Sequence, residues 1–152
     1  MKKIIAIVLC LVTLFSFVAC SCNKEEKVPV DQISVTGKKY KVDLSTVNIA
    51  WDEGKEPSSI KQMDFISSVK QWYKDSTIEF TSENTFSLGG TNNALYDIYA
   101  ENCERIDNEL YKELRLRGKV DVMVYENKVT FLCDFFLKGW GMYLSIDYIL
   151  EK

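Results

Sequence analysis

The sequence predicts a mainly β protein, with a single antiparallel up-and-down β-barrel of about eight strands and one α-helix between strands 1 and 2. The first observation behind this prediction is that apolar and polar residues alternate in eight separate segments, as they do in strands with one buried face. The second is that short polar turns join most of these segments, which is typical of antiparallel strands that are neighbours in sequence order. The third is a single stretch whose apolar residues recur at helical spacing instead.

The first strand is predicted to be long and bent. Apolar residues alternate from Tyr40 to Leu44, the phase slips near Ser45, and alternation resumes from Val47 to Trp51. A slip that keeps the alternation indicates a β-bulge, because one extra residue shifts every later side chain to the other face.

Residues 58–74 are predicted to form the helix. Ser59 and Gln62 match a capping box, and Pro57 lies just outside it. The large apolar residues fall on one side of this helix: Phe65, Ile66, Val69, Trp72 and Tyr73. We expect this face to pack on the barrel. Its aromatic stripe is also a candidate ligand surface.

Seven further strands follow the helix, at residues 77–81, 85–88, 94–103, 109–117, 120–124, 129–137 and 142–150. Residues 108–117 also fit a helix. An antiparallel barrel of about eight strands is either filled by its own side chains or holds one small ligand. The competing arrangement is an open sheet with the helix lying across one face.

Residues 1–19 are predicted to be an export signal. Lys2 and Lys3 form a basic start, residues 4–17 form an apolar run that is too short to span a bilayer, and Ala19 precedes Cys20. This pattern resembles the lipobox of bacterial lipoproteins, in which lipid is attached to that cysteine and the chain is cut before it. The resemblance implies a lipidated Cys20. A plain secretory signal is the alternative.

The expected organisation follows from this signal. Residues 20–34 would be the lipidated cysteine and a flexible tether, and residues 35–152 the barrel domain. The protein is then expected on the cell membrane or outer membrane, lipid-anchored and facing the periplasm or the cell exterior. The tripeptide Lys24-Glu25-Glu26 also resembles a short signal for the outer surface, although a charged, solvated tether is the favoured explanation.

The composition excludes several classes of function. The chain has no histidine, which removes Ser-His-Asp and Cys-His catalysis, HExxH metalloproteases and nearly all catalytic zinc sites. Acidic residues outnumber basic ones, 22 to 19, which argues against nucleic acid as a partner. Paired carboxylates could still act as acid and base, but the acidic residues are scattered. We expect a protein that is not an enzyme and has neither metal nor cofactor.

Cys103 and Cys133 fall within the predicted domain. An exported protein can keep a disulfide, so these two form a candidate pair. Cys133 alternates with apolar residues whereas Cys103 alternates with polar ones, which favours two unpaired small apolar side chains instead.

From residue 35 onward the chain resembles the lipocalin-like (calycin-type) lipoproteins of bacteria. The resemblance lies in Gly37-Lys38-Lys39-Tyr40 at the first strand, the helix after it, the hairpin at 78–88 and the closing hairpin that ends near Ile149. It implies a barrel that binds a small apolar ligand. The candidate ligand residues are the inward Phe80, Phe86, Phe131, Phe135 and Tyr148, with Trp72 as a lid and Trp140 at the rim.

Two hypotheses of function stay open at this point. In one the barrel encloses the apolar ligand. In the other the same large side chains fill the barrel, which then serves as an envelope interaction module or a protein inhibitor. Trp140, between two glycines in a predicted tight turn, would either plug the end of the barrel or contact a ligand or partner.

Overall fold

The computed structural model describes residues 28–54, 56–93, 96–116, 120–137 and 140–152, without the side chains of residues 135–137 and 140. The predicted signal, Cys20 and Lys24-Glu25-Glu26 lie outside the described residues. So do the side chains of Phe135 and Trp140.

The described part of the chain contains one α-helix and nine strands. The helix α1 is Ser59–Tyr73. The strands are β1 (Lys39–Trp51), β2 (Thr77–Ser82), β3 (Thr85–Gly89), β4 (Ile98–Ala100), β5 (Glu104–Asp107), β6 (Lys112–Leu116), β7 (Val120–Val124), β8 (Lys128–Leu137) and β9 (Trp140–Leu150). Trp140 thus begins a strand and pairs with Leu137, where the sequence predicts a turn.

The strands form one antiparallel sheet in the order β4-β3-β2-β1-β9-β8-β7-β6-β5. The sheet curls into a half-barrel with the helix between strands 1 and 2, which confirms the predicted fold class. The first and last strands pair with each other, so the two edges of the sheet are β4 and β5, which follow one another in the chain.

The additional strand, β5, lies just beyond the predicted strand 94–103, of which the structure keeps β4. The pairings make β4 and β5 run in the same direction, and only three residues separate them. Among these, Asn102 has a φ of 52°, a left-handed conformation that breaks a strand. Counted as one interrupted strand, β4 and β5 give the predicted total of eight. The sequence analysis misses β5 because three of its four residues are charged.

The bulge in β1 is confirmed. Pairing between β1 and β9 changes register between Asp43 and Asn48. The Thr46 hydroxyl donates to the Asp43 carbonyl at 2.7 Å and accepts from the Asp147 amide at 2.9 Å. The extra residues are therefore held to both strands, which bends β1 without separating it from β9.

The helix begins one residue earlier than the predicted capping box requires. Ser58 is the N-cap and its side chain makes no capping hydrogen bond. Gln62 is then the fourth helical residue and not the third, so its amide reaches back to the Pro57 carbonyl at 2.8 Å instead. The predicted inner face of the helix is confirmed at Val69 and Tyr73, which are both buried.

The alternating strand directions place the connections at two opposite ends. We call one end the base: it holds the turns at residues 83–84, 108–111 and 125–127, the start of β1 and the end of β9. We call the other end the mouth: it holds the end of β1, the start of α1 and the start of β9. The loop after Gly89 lies nearer the middle of the half-barrel, because Gly89 pairs with Thr77, and Thr77 pairs with Lys41 near the start of β1. Residues that the sequence assigns to the tether pack on the base, where Val30–Gln32 is a 3-10 helix and Ile33 is buried. The domain therefore begins before residue 35.

Candidate functional site

The interior of the half-barrel is occupied by its own aromatic side chains. Phe80, Phe86, Phe131 and Tyr148, four of the predicted ligand residues, each have 0% of their surface exposed. The rings of Phe80 and Phe86 are 5.8 Å apart, and Tyr40 meets Phe80 edge-on at the same distance. These residues form the hydrophobic core. Core packing alone explains their inward positions, without a ligand.

A polar network of the core joins Tyr148 to the end of the helix. The Ser76 hydroxyl donates to the Tyr73 carbonyl at 2.7 Å, so the Tyr148 hydroxyl, 3.0 Å away, donates to Ser76. Burial raises the pKa of both Tyr73 and Tyr148, because a phenolate would lose its hydration there. Both phenols are therefore neutral, and that of Tyr148 hydrogen-bonds Ser76.

A row of aromatic side chains starts on the mouth side, follows α1 towards the middle of the half-barrel and is only half-buried. It consists of Trp51, Phe65, Trp72 and Tyr96, which we call the mouth cluster. Phe65 meets Trp51 and Trp72 edge-on, with ring centroids 5.7 and 5.9 Å apart. Trp72 stacks on Tyr96 at 5.2 Å with an interplanar angle of 22°. All four residues are intermediate in burial, so solvent reaches part of the cluster.

Two elements and a loop assemble this cluster. Trp51 ends β1, whereas Phe65 and Trp72 lie two turns apart on α1 and so share a face. Tyr96 comes from the loop at 90–97, where the Asn92 amide donates to the Trp72 carbonyl at 2.6 Å. The loop starts at Gly90, whose φ is +73° and where an added Cβ would lie 2.9 Å from the Asp75 carbonyl oxygen.

The sequence prediction finds part of this site. Trp72 is the predicted lid and belongs to the mouth cluster. Helical spacing already places Phe65 on the same face as Trp72, in the aromatic stripe that the sequence offers as a candidate ligand surface. Trp51 and Tyr96 carry no such local signal, because their positions depend on the bend of β1 and on the loop fold.

Cys133 and Cys103 do not form a disulfide with each other. Cys133 lies in the middle of β8, where its thiol raises the pKa of both Tyr73 and Tyr96, although burial is the larger cause for each. Cys103 is buried in the connection from β4 to β5. Strands β6 and β7 separate the two positions in the sheet, which is why the candidate pair does not meet.

A groove beside the end of α1 offers a second, less suitable surface. It has a volume of about 590 Å³ and runs along the bulged part of β1 and the end of β9. Charged side chains and no aromatic ring line it: Lys41, Asp43, Lys74 and Glu151, beside aliphatic and polar neighbours. An apolar ligand would gain less there than at the mouth cluster.

Neither a metal centre nor a membrane span is found among the residues that the structure describes. No three His, Cys, Asp or Glu side chains come close enough together in the described ranges to hold a metal ion. The described helix is not long and apolar enough to cross a bilayer.

The sequence matches no protein-family model, no curated protein and no solved structure. The mouth cluster and the filled interior are therefore the basis for the function proposed below.

Proposed function

We propose that this protein is a lipid-anchored, non-enzymatic binding protein of the cell envelope, and that it holds a small apolar ligand at the mouth cluster. The observation that carries this proposal is the row of four half-buried aromatic rings that starts on the mouth side. Aromatic rings on a rigid scaffold present large apolar area at little cost in side-chain entropy, so a ligand gains much by covering them.

The filled interior supports the mouth and not the lumen as the place for the ligand. A ligand inside the half-barrel would have to displace Phe80, Phe86 or Phe131, which already pack at full burial. A ligand at the mouth cluster only replaces water on rings that are already partly exposed, which costs no core packing.

The ligand proposal is tested by Trp emission during titration with a long-chain fatty acid and with 1-anilinonaphthalene-8-sulfonate. We expect a saturable change in emission, because Trp51 and Trp72 belong to the cluster. Replacing Tyr96 by alanine removes the ring stacked on Trp72 and is expected to weaken binding about ten-fold or more. Tyr99→Ala is the matched control, since Tyr99 lies only three residues away and is 65% exposed outside the cluster. Equal affinities for the two variants would contradict the proposal.

The second candidate function is a protein-interaction module with a side-chain-filled barrel. The specific observation in its favour is again the complete burial of Phe80, Phe86, Phe131 and Tyr148. Protein purified from its own host and weighed by native mass spectrometry separates the two candidates. A mass without ligand, together with no saturable change in Trp emission, would favour the interaction module.

The lipid anchor is tested separately by the intact mass of membrane-extracted protein. We expect the mature chain to start at Cys20 and to carry the added mass of acyl chains, each buried CH₂ of which contributes about 0.8 kcal/mol to membrane binding. Cys20→Ala is expected to leave the membrane fraction, whereas Cys22→Ala should stay in it. A Cys20→Ala protein that still partitions with membranes would refute the anchor.

A further inference from the structure

The chain leaves the described domain at its base, and this exit point is firmly attached. Ile33 is buried beneath the base, and its carbonyl accepts a hydrogen bond from the Lys112 ammonium. The Glu83 carboxylate accepts from the Ser34 hydroxyl at 2.8 Å and from the Val35 amide at 3.2 Å. These contacts hold the segment before β1 against the turns of the base, so the direction from which the preceding residues arrive is set.

The distance from this exit point to the proposed anchor is short. Eight peptide units separate Cys20 from Val28, and they span at most about 28 Å when fully extended. A flexible chain of this length has an average end-to-end distance of only about 16 Å. The start of β9 at the mouth lies farther away, because the eleven residues of this strand run about 35 Å to the base.

The outer surface of the base has an apolar centre. A groove of about 290 Å³ lies there between the segment that leads to Cys20 and the turns at 108–111 and 125–127. Val28, Val30 and Tyr125 line it, and Leu110 stands at its edge with 64% of its surface exposed. Two carboxylates, Glu109 and Glu126, are also part of its lining.

We infer that the base is the surface that faces the lipid, and that the mouth, with the Trp51 end of the mouth cluster, points away from the membrane. This inference rests on the proposed lipidation of Cys20. A tether of eight residues that starts beside Leu110 keeps the apolar groove next to the bilayer, where burial of Leu110 is favourable. The two carboxylates disfavour anionic headgroups, so the matching surface is a zwitterionic one. The ligand then reaches the mouth from the aqueous side.

The orientation is tested on the full lipidated chain in phosphatidylcholine vesicles that contain a dansyl-labelled headgroup lipid. Trp emission transfers energy to dansyl over short distances only. Leu110→Trp places a donor at the base, and Ile60→Trp is the matched control at the start of α1, where Ile60 is 74% exposed. The three native tryptophans, Trp51, Trp72 and Trp140, are present in both variants and form a common background.

We expect the donor at position 110 to transfer several times more energy to the labelled lipid than the donor at position 60. Co-flotation with the vesicles and intact mass are recorded on the same samples. Protein that floats but shows equal transfer from both positions, or more from position 60, overturns the orientation and leaves the anchor intact. In that case the expected occupant of the groove beside Leu110 is a protein partner and not lipid. Protein that carries no lipid and does not float overturns the anchor and the orientation together.

Discussion

Replacing Phe131 by alanine is expected to lower the free energy of unfolding by about 3–5 kcal/mol. Phe131 is fully buried on β8, between Val122 of β7 and Ile146 of β9, and its ring lies 6.3 Å from that of Tyr73. Alanine would leave a cavity that the surrounding strands can close only in part, because both neighbours are held by the sheet. Equilibrium unfolding in urea, followed by circular dichroism, measures the change.

Tyr143→Ala is the control for this substitution. Tyr143 is also a large aromatic residue in the sheet, on the neighbouring β9, but 58% of its surface is exposed. Its removal should cost less than about 1 kcal/mol. If Phe131→Ala loses no more stability than Tyr143→Ala, the interior around Phe131 is not closely packed. The hollow-barrel hypothesis of ligand binding would then regain support over the mouth site.

Replacing Lys112 by methionine is expected to lower the free energy of unfolding by about 2–3 kcal/mol. Lys112 is 4% exposed, and its ammonium contacts the Ile33 carbonyl and the Glu83 carboxylate, the latter at 3.3 Å. Methionine keeps the apolar stem but leaves both acceptors without this donor. The expected loss lies below that of a fully buried ion pair because the Glu83 side chain is 36% exposed and water screens it.

Arg115→Met is the matched control for Lys112→Met, since both residues lie on β6 and pair with a carboxylate. The Arg115 guanidinium is 2.7 Å from Glu113, but its side chain is 48% exposed, so its removal should cost less than about 1 kcal/mol. Similar losses for the two variants would show that Lys112 does not hold the segment before β1 in place.

The same cluster has a defined dependence on pH. Burial alone would raise the pKa of Glu83, but hydrogen bonds from Ser34, Thr36, Val35 and Lys112 outweigh it and lower the pKa to about 2. Because the folded pKa lies below the ordinary value of 4.5, the stabilisation is complete above pH 4.5 and is lost as the pH falls towards 2. Glu83→Gln should therefore flatten this part of the stability profile, by about 1–2 kcal/mol after allowance for solvent screening. A variant profile as steep as that of the wild type would contradict this account.

Several features of the fold follow from the order of residues alone. The strands from β6 to β9 and the bulge near Ser45 were predictable because alternation of apolar residues is a local property, with a period of two that each strand carries by itself. The inner face of α1 was predictable for the same reason, since Phe65, Val69 and Trp72 recur at helical spacing. Exclusion of histidine-dependent catalysis also needs nothing beyond composition.

Other features were decided by contacts between distant parts of the chain. Asn102 breaks the predicted strand by adopting a positive φ, which a residue other than glycine does at a cost that its surroundings must offset. Tyr96 stacks on Trp72 only because the loop after Gly90 returns to the end of α1. Lys112 meets a carbonyl 79 residues away and a carboxylate 29 residues away, and neither separation leaves a periodic trace in the sequence. Local pattern thus determined which segments are strands and which face of each is apolar, because propensity and periodicity act over a few residues. The position of the mouth cluster and the attachment at the base were decided by the tertiary structure, because burial and hydrogen bonding there depend on which distant residues the folded sheet brings together.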